Sequence, residues 1–276
     1  MCDLRLTGTM SDNAESQDQA VTLVTYRVDA GVATIELDDA AHGNALSLRL
    51  AADLLTAVER AASDPDAAVV VLQAGGRNFC VGGDVFEMHE SVDRGAHLAE
   101  LTDVAHRAVL GLFDLRKPVI AAVQGAVAGG GMGLALVADI VVVDEGARFV
   151  FAYPAIGVTP DCGTSWLLPW SMGARRALQF ALFNEPVPAV DAVEVGLATE
   201  LVPAGTAQVR AREIAERIVA GAPAAAATAR QLLRGDSAEF AAQLDRERQA
   251  MIAAVSSERS RELIDAFVAR ARSPRE

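Results

Sequence analysis

Lys117-Pro118-Val119-Ile120-Ala121-Ala122-Val123 runs directly into Gln124-Gly125-Ala126-Val127-Ala128-Gly129-Gly130-Gly131-Met132-Gly133-Leu134, and the reading of this stretch decides the fold. The first part is a short apolar, β-branched run opened by proline, which predicts a buried strand. Leu134 to Asp139 continues as a short helix, and Ile140 to Val143 is a second strand-like run. A strand therefore enters a glycine cluster and a helix leaves it. Three consecutive glycines remove every Cβ at the turn, so a ligand can reach main-chain N–H groups directly. At a helix start those N–H groups are unpaired and sit at the positive end of the dipole, which makes a site for negative charge.

Other readings of the same residues fare worse. Pro118 to Ala138 carries no charge and has the length of a membrane span, and Gly125, Gly129 and Gly133 fall at the spacing of a helix-dimer motif. Proline, glutamine and five glycines interrupt it, however, and β-branched runs suit two strands better than one helix. A nucleotide loop needs Lys-Ser/Thr after its glycines or Gly-x-Gly-x-x-Gly spacing, and neither occurs here. A purely structural turn stays open on this stretch alone.

The rest of the composition narrows the class. A chain of 276 residues can bury a substantial core in one or two domains. Its net charge of −13 argues against nucleic-acid or anionic-membrane partners for the body as a whole. Cys2, Cys80 and Cys162 are an odd, scattered set that fits a reducing cytoplasm better than a disulfide framework. No signal peptide is visible in the polar N-terminus, so a cytoplasmic location is expected.

Outward from the glycine cluster the chain alternates. Residues 1–20 read as a disordered leader. Val21 to Asp29 and Val32 to Leu37 form a hairpin around Ala30-Gly31. Ser47 caps a helix with Leu48, Ala51, Leu55 and Val58 on its apolar face, ended by Asp64-Pro65. Ala67 to Gln73 is a buried strand leading into a second glycine loop, Gly75 to Asp84. A helix from His97 to Leu115 turns Leu98, Leu101, Ala105, Ala108, Leu112 and Leu115 inward. A third loop, Ile156 to Thr164, precedes a helix with Trp166 and Trp170. From Met172 onward the chain is almost all helix, with one short strand at Thr199 to Val202. The fold class is α/β, with a core over residues 21–203 and a helical region over 204–276.

Two glycine loops after buried strands can present two N–H groups to one oxygen, which is how an oxyanion hole stabilises charge on a carbonyl. At this point the sequence resembles the crotonase (enoyl-CoA hydratase/isomerase) superfamily. The matching pieces are Asn44-Ala45-Leu46-Ser47, Phe79-Cys80-Val81-Gly82-Gly83-Asp84, the opening stretch, Ile156-Gly157 through Gly163-Thr164, and Ala266-Phe267-Val268-Ala269-Arg270. The resemblance implies a ββα spiral core with a C-terminal helical region that assembles homotrimers, often paired into hexamers. It implies an acyl-CoA substrate of the kind met in fatty acid metabolism, with coenzyme A as part of the substrate and no separate cofactor or metal. By motif position, Gly83 and Gly130 supply the oxyanion amides. Asn44, Ala45, Leu46 and Val81 fall where the adenine and pantetheine part is held. Phe267 and Arg270 fall where the closing helix meets the coenzyme A of a neighbouring subunit, and Arg259, Arg261 and Arg272 add a basic patch suited to phosphates.

The sequence departs from the hydratases at both of their acids. The first glutamate position is Gly133 and the second is Tyr153, so a two-glutamate hydration mechanism is not expected. One carboxylate, Asp161, remains in the third loop. The resemblance assigns this pattern to enoyl-CoA isomerases and to 4-chlorobenzoyl-CoA dehalogenases. An isomerase needs one base that removes and returns a proton while the oxyanion hole holds the dienolate, and a buried aspartate with a raised pKa suits that shuttle. A dehalogenase instead uses aspartate as nucleophile and histidine to activate water. His106 falls at that histidine's place by ungapped counting, against the plainer reading of a surface pair with Asp103. Tyr153 stands where the dehalogenases carry tryptophan. The expectation is an isomerase, with the dehalogenase and a catalytically silent coenzyme-A-binding oligomer as alternatives.

Overall fold

The computed structural model describes residues 22–273, so the leader expected over residues 1–20 lies outside the described residues. Strands β1 (Val24–Asp29) and β2 (Val32–Leu37) pair antiparallel, with Ala30 and Gly31 at φ 49° and 80°. Two consecutive left-handed residues give the turn that matches strand twist. Helix α1 (Leu48–Ser63) starts where the Ser47 hydroxyl accepts the Leu50 N–H at 3.1 Å. Its buried face is Leu50, Ala51, Leu54, Ala57, Val58 and Ala61, so Leu48 and Leu55 sit at the edge of the stripe and not at its centre. Lys117, the only lysine, caps its other end, donating to the Ala61 and Asp64 carbonyls at 2.6 Å.

Strand β3 (Val69–Ala74) is followed by the second glycine loop, then by α2 (Val85–Glu90) and α3 (Arg94–Asp114). Next come β4 (Val119–Val123), β5 (Ala126–Ala128) and α4 (Gly130–Leu136), then β6 (Ile140–Asp144) and β7 (Arg148–Val150). No helix among the described residues is long and apolar enough to cross a membrane. After a 3₁₀ turn at Tyr153–Ile156 come α5 (Thr164–Met172), α6 (Ala174–Phe183), β8 (Val187–Pro188), α7 (Ala189–Val195) and β9 (Glu200–Val202). Helices α8 (Ala207–Ala220), α9 (Pro223–Leu233), α10 (Ser237–Val255) and α11 (Glu258–Arg272) complete the chain.

The main sheet has the order β1-β2-β3-β4-β6-β9 and is parallel throughout beyond the first hairpin. Parallel strands are covered on both faces, and alternation shows by what. Val69, Val71, Ile120, Ala122 and Val142 pack with Ala207, Ala211, Ile214 and Ala215 of α8. Val70, Leu72, Ala121, Val123, Val141 and Val143 join the larger core with α1, α3 and α4. Helix α8, in the region expected to be helical from residue 204 onward, covers one face of the sheet.

A smaller sheet, β5-β7-β8, lies after the parallel strands' ends. Bridges Cys80 to Val127 and Leu46 to Gly83 extend it through the loops. Successive turns of the chain thus stack strand on strand and loop on loop. Helix α10 lies along α3, with Phe240 stacked on Phe113 at 4.3 Å, and α11 lies against α2 and the Tyr153–Ile156 turn.

Candidate active site

The loops at this second sheet carry the site. The Leu46 N–H bonds Gly82 O at 2.8 Å and the Asp84 N–H bonds Leu46 O at 3.1 Å. That ladder engages the residues on either side of Gly83 and leaves the Gly83 N–H without an acceptor among the described residues. On the next turn Gly129 adopts φ 50° and ψ −127°, a conformation open only to glycine, and α4 begins at Gly130. The helix therefore starts inside the glycine cluster, earlier than the sequence reading placed it. Among the described residues the Gly130 N–H also lacks an acceptor, as expected of a first-turn amide. The two turns abut, since a Cβ on Gly129 would stand 3.6 Å from Gly82 Cα. Two unpaired amides on touching turns can donate to one oxygen.

Asp161 comes to the same place. A Cβ on Gly130 would stand 3.3 Å from Asp161 Oδ1, 3.0 Å from Cys162 Sγ and 2.9 Å from Leu46 Cδ1. The carboxyl accepts the Tyr153 hydroxyl at 2.9 Å and a thiol hydrogen bond from Cys162. Although Asp161 as a residue is half-buried, this carboxyl is enclosed, and burial pushes it up to about 6 against those donors. Tyr153 is buried, lies within 3.1 Å of Thr164 Oγ1, and is pushed well above its ordinary pKa by burial and by Asp161. It remains a hydrogen-bond donor at any working pH.

The loop itself is held from behind. Cys162 and Gly163 both take left-handed conformations, with φ 53° and 76°. His106 is buried and its Nε2 accepts the Cys162 N–H at 3.1 Å, so it belongs to this loop and forms no surface pair with Asp103. Burial, with Arg248 adding to it, pushes His106 down to about 4, and it is neutral. Glu247 of α10, which the sequence reading missed, accepts the Gly163 and Ser165 N–H groups at 2.8 Å each and the Ser165 hydroxyl at 2.5 Å. A signal for it was present. Phe240, Leu244, Glu247, Met251 and Val255 form the buried stripe of α10, and a carboxylate stands in that apolar row. His106, Asp161 and Cys162 bring potential metal donors within 4.8 Å of one another. The His106 lone pair already accepts from Cys162, however, and burial holds that thiol well above its ordinary pKa, so neither is presented as a ligand.

Comparison with known proteins now decides the family. The profile described as Enoyl-CoA hydratase/isomerase matches residues 27–274. The chain belongs to the enoyl-CoA hydratase/isomerase family. It is 32% identical over 256 residues to the 1,2-epoxyphenylacetyl-CoA isomerase of Escherichia coli (strain K12), covering 91% of this chain and 97% of that one. It is 32% identical over 192 residues to 4-chlorobenzoyl coenzyme A dehalogenase-2 of Arthrobacter sp, covering 69% and 70%. The crystal structure of an enoyl-CoA hydratase from Mycobacterium avium subsp. paratuberculosis K-10 superposes with a TM-score of 0.82 at 29% identity, covering 93% of this chain and 99% of that one. Three chemistries appear at similar identity, so the choice among them falls to the residues in place.

At the position where family hydratases carry their first glutamate, Gly133 has no room for a side chain, because the Cys162 carbonyl and Cβ occupy that space. The other family positions separate into two groups. Leu46 joins Gly83, Gly130, Asp161, Tyr153 and His106 around the loops. Asn44 is fully buried, and its side chain is spent on Asp39 N–H (2.8 Å), Gly75 O (3.0 Å) and Asn78 O (2.8 Å), so it braces the loop from within. Ala45 is buried beside it, while Val81 is 36% exposed on the adjoining loop. Phe267 is half-buried and Arg270 exposed on α11. The basic patch expected on that helix is partly neutralised, with Arg259 on Glu262 and Arg272 on Glu90, both at 3.0 Å.

Proposed function

We propose that this family member binds acyl-CoA thioesters and shifts the double bond of an enoyl-CoA through an enolate, with Asp161 as the only proton carrier. The observation that carries the reading is the placement of the Asp161 carboxyl 3.3 Å from the Cβ position of Gly130, beside the unpaired amides. In this reading the thioester oxygen accepts from Gly83 and Gly130. Asp161 removes a proton from C2 of a 3-enoyl thioester, and the electron pair spreads over the carbonyl and the adjoining double bond. The same carboxyl returns the proton at C4, giving the 2-enoyl product without net gain or loss. A carboxyl near pKa 6 is ionised at neutral pH yet acidic enough to give its proton back. Tyr153 steadies it by donating to the same oxygen that faces Gly130, and it takes no proton because its own hydroxyl is pushed upward.

The dehalogenase alternative asks His106 to activate water. Its Nε2 accepts from Cys162 inside the protein, which argues against that duty. A silent binder would not need a carboxyl enclosed beside two unpaired amides. The exposed Leu178, Leu182, Phe183, Leu232 and Leu233 of α6 and α9 support self-assembly of the chain, in trimers by the family's habit.

Doubly labelled water tests the chemistry. Incubation of enoyl-CoA thioesters in deuterium oxide enriched in oxygen-18 is expected to place deuterium at C2 or C4 and no oxygen-18 in the acyl group. Oxygen-18 in the product would contradict the isomerase reading.

A further inference from the structure

We propose that Glu247 is a positioning residue for Asp161, an ionised clamp on α10 that fixes the third loop so that the carboxyl faces Gly130. The inference rests on the reading of Asp161 as the proton carrier. Cys162, which is not glycine, is held left-handed at φ 53° beside Gly163, and such a residue keeps that conformation where the surrounding structure fixes it. That support comes from two buried side chains on different helices. His106 of α3 takes the Cys162 N–H, and Glu247 of α10 takes the next free amides, Gly163 and Ser165. Gln243, one turn earlier on α10, donates to Ser165 Oγ at 2.7 Å, which turns the serine hydrogen toward Glu247 Oε1.

Both Glu247 oxygens therefore face donors only, two amides and one hydroxyl, at the first turn of α5. An anion fits that place, and a proton on either oxygen would oppose a donor already there. Burial nevertheless pushes Glu247 up to about 7, the three donors pull it down, and the Asp161 charge pushes it up again. His106, facing the loop from α3, is neutral, with Arg248, Asp245 and Asp103 as the charged groups around it. Protonation of Glu247 thus loosens the clamp just above the pH at which Asp161 itself takes up a proton. A cap that only held α5 would leave the pH dependence of turnover to Asp161 alone.

The test uses the full chain with Glu247→Gln, and with Ser165→Ala as a milder variant that keeps the amides. In wild type, log kcat/KM is expected to fall in two stages, a bounded step of roughly tenfold near pH 7 as Glu247 takes up a proton and a slope of one below about pH 6 as Asp161 does. Glu247→Gln is expected to lower kcat at pH 8 by roughly tenfold with KM within about twofold, and to lose the step near pH 7 while keeping the slope of one that Asp161 gives. Ser165→Ala is expected to lower kcat less, in the same direction. An unchanged kcat, or a wild-type profile with the Asp161 slope alone and no step near pH 7, would overturn the clamp. A second arm needs no turnover. With carbon-13 in the glutamate carboxyls, Glu247 is expected to titrate near 7 in wild type and at lower pH in Asp161→Asn. An unmoved Glu247 titration overturns the coupling. Full activity of Asp161→Asn would instead remove the proton-carrier reading, while the carbon-13 arm still judges the charge coupling on its own.

Discussion

Burial makes the Asp161 carboxyl harder to ionise and, against the pull of the Tyr153 and Cys162 donors, holds it from 3.8 up to about 6. The folded state therefore binds a proton more tightly than the unfolded chain. The stability this gives is fully present below about pH 4 and is lost as pH rises through about 6. At pH 8 the ionised group opposes folding by about 3 kcal/mol. Asp161→Asn keeps an acceptor for Tyr153 and removes the charge, so its melting temperature is expected to exceed wild type by several degrees at pH 8 and by less at pH 5. Thermal unfolding at the two pH values checks this, and a lower melting temperature at pH 8 would contradict it. Asp161 was legible in the sequence because it is the lone carboxylate of a glycine-rich loop. His106 and Glu247 were harder to see. Their chemistry depends on which main-chain amide faces each buried side chain, and helical spacing alone does not say that.

At the scale of elements, α4 and the third loop fit each other so closely that the missing hydratase acid is a packing matter. Gly133 meets the Cys162 backbone directly, so Gly133→Glu cannot restore hydration. That variant is expected to displace the loop, lower the melting temperature and lose isomerisation, with no hydratase activity gained. Water addition to a 2-enoyl thioester, followed at the loss of the conjugated double bond, checks it. The parallel strands were readable because apolar runs covered on both faces are continuous. Strand β5, three residues long, was not. It exists because Ala128 N–H bonds Cys80 O at 3.0 Å and Val127 pairs with Phe149, contacts made by chain segments distant in sequence.

Among the described residues of the whole molecule, helices α6 and α9 carry large exposed apolar side chains. Leu182 is 77% exposed and Leu233 79%, with Phe183 and Leu232 beside them in the chain. Large apolar side chains so exposed argue for burial against another copy. Leu182→Arg combined with Leu233→Glu is expected to reduce the mass found by light scattering toward that of one chain, with the far-ultraviolet helix signal kept. Wild-type mass in the double variant would place the contact elsewhere. The helical region was legible as helices but not as cover. Helix α8 seals the sheet and α10 seals the site, and such docking is decided by tertiary contacts that one helix's pattern does not contain.

The central claim is that one aspartate carries every proton transferred at the paired amides. Asp161→Asn, assayed beside wild type for isomerisation of an enoyl-CoA panel and for thioester binding by calorimetry, tests it most directly. The expected result is turnover reduced by at least about a thousandfold with affinity within about threefold, because the amides and the pocket stay in place. Turnover within a few-fold of wild type would contradict the account.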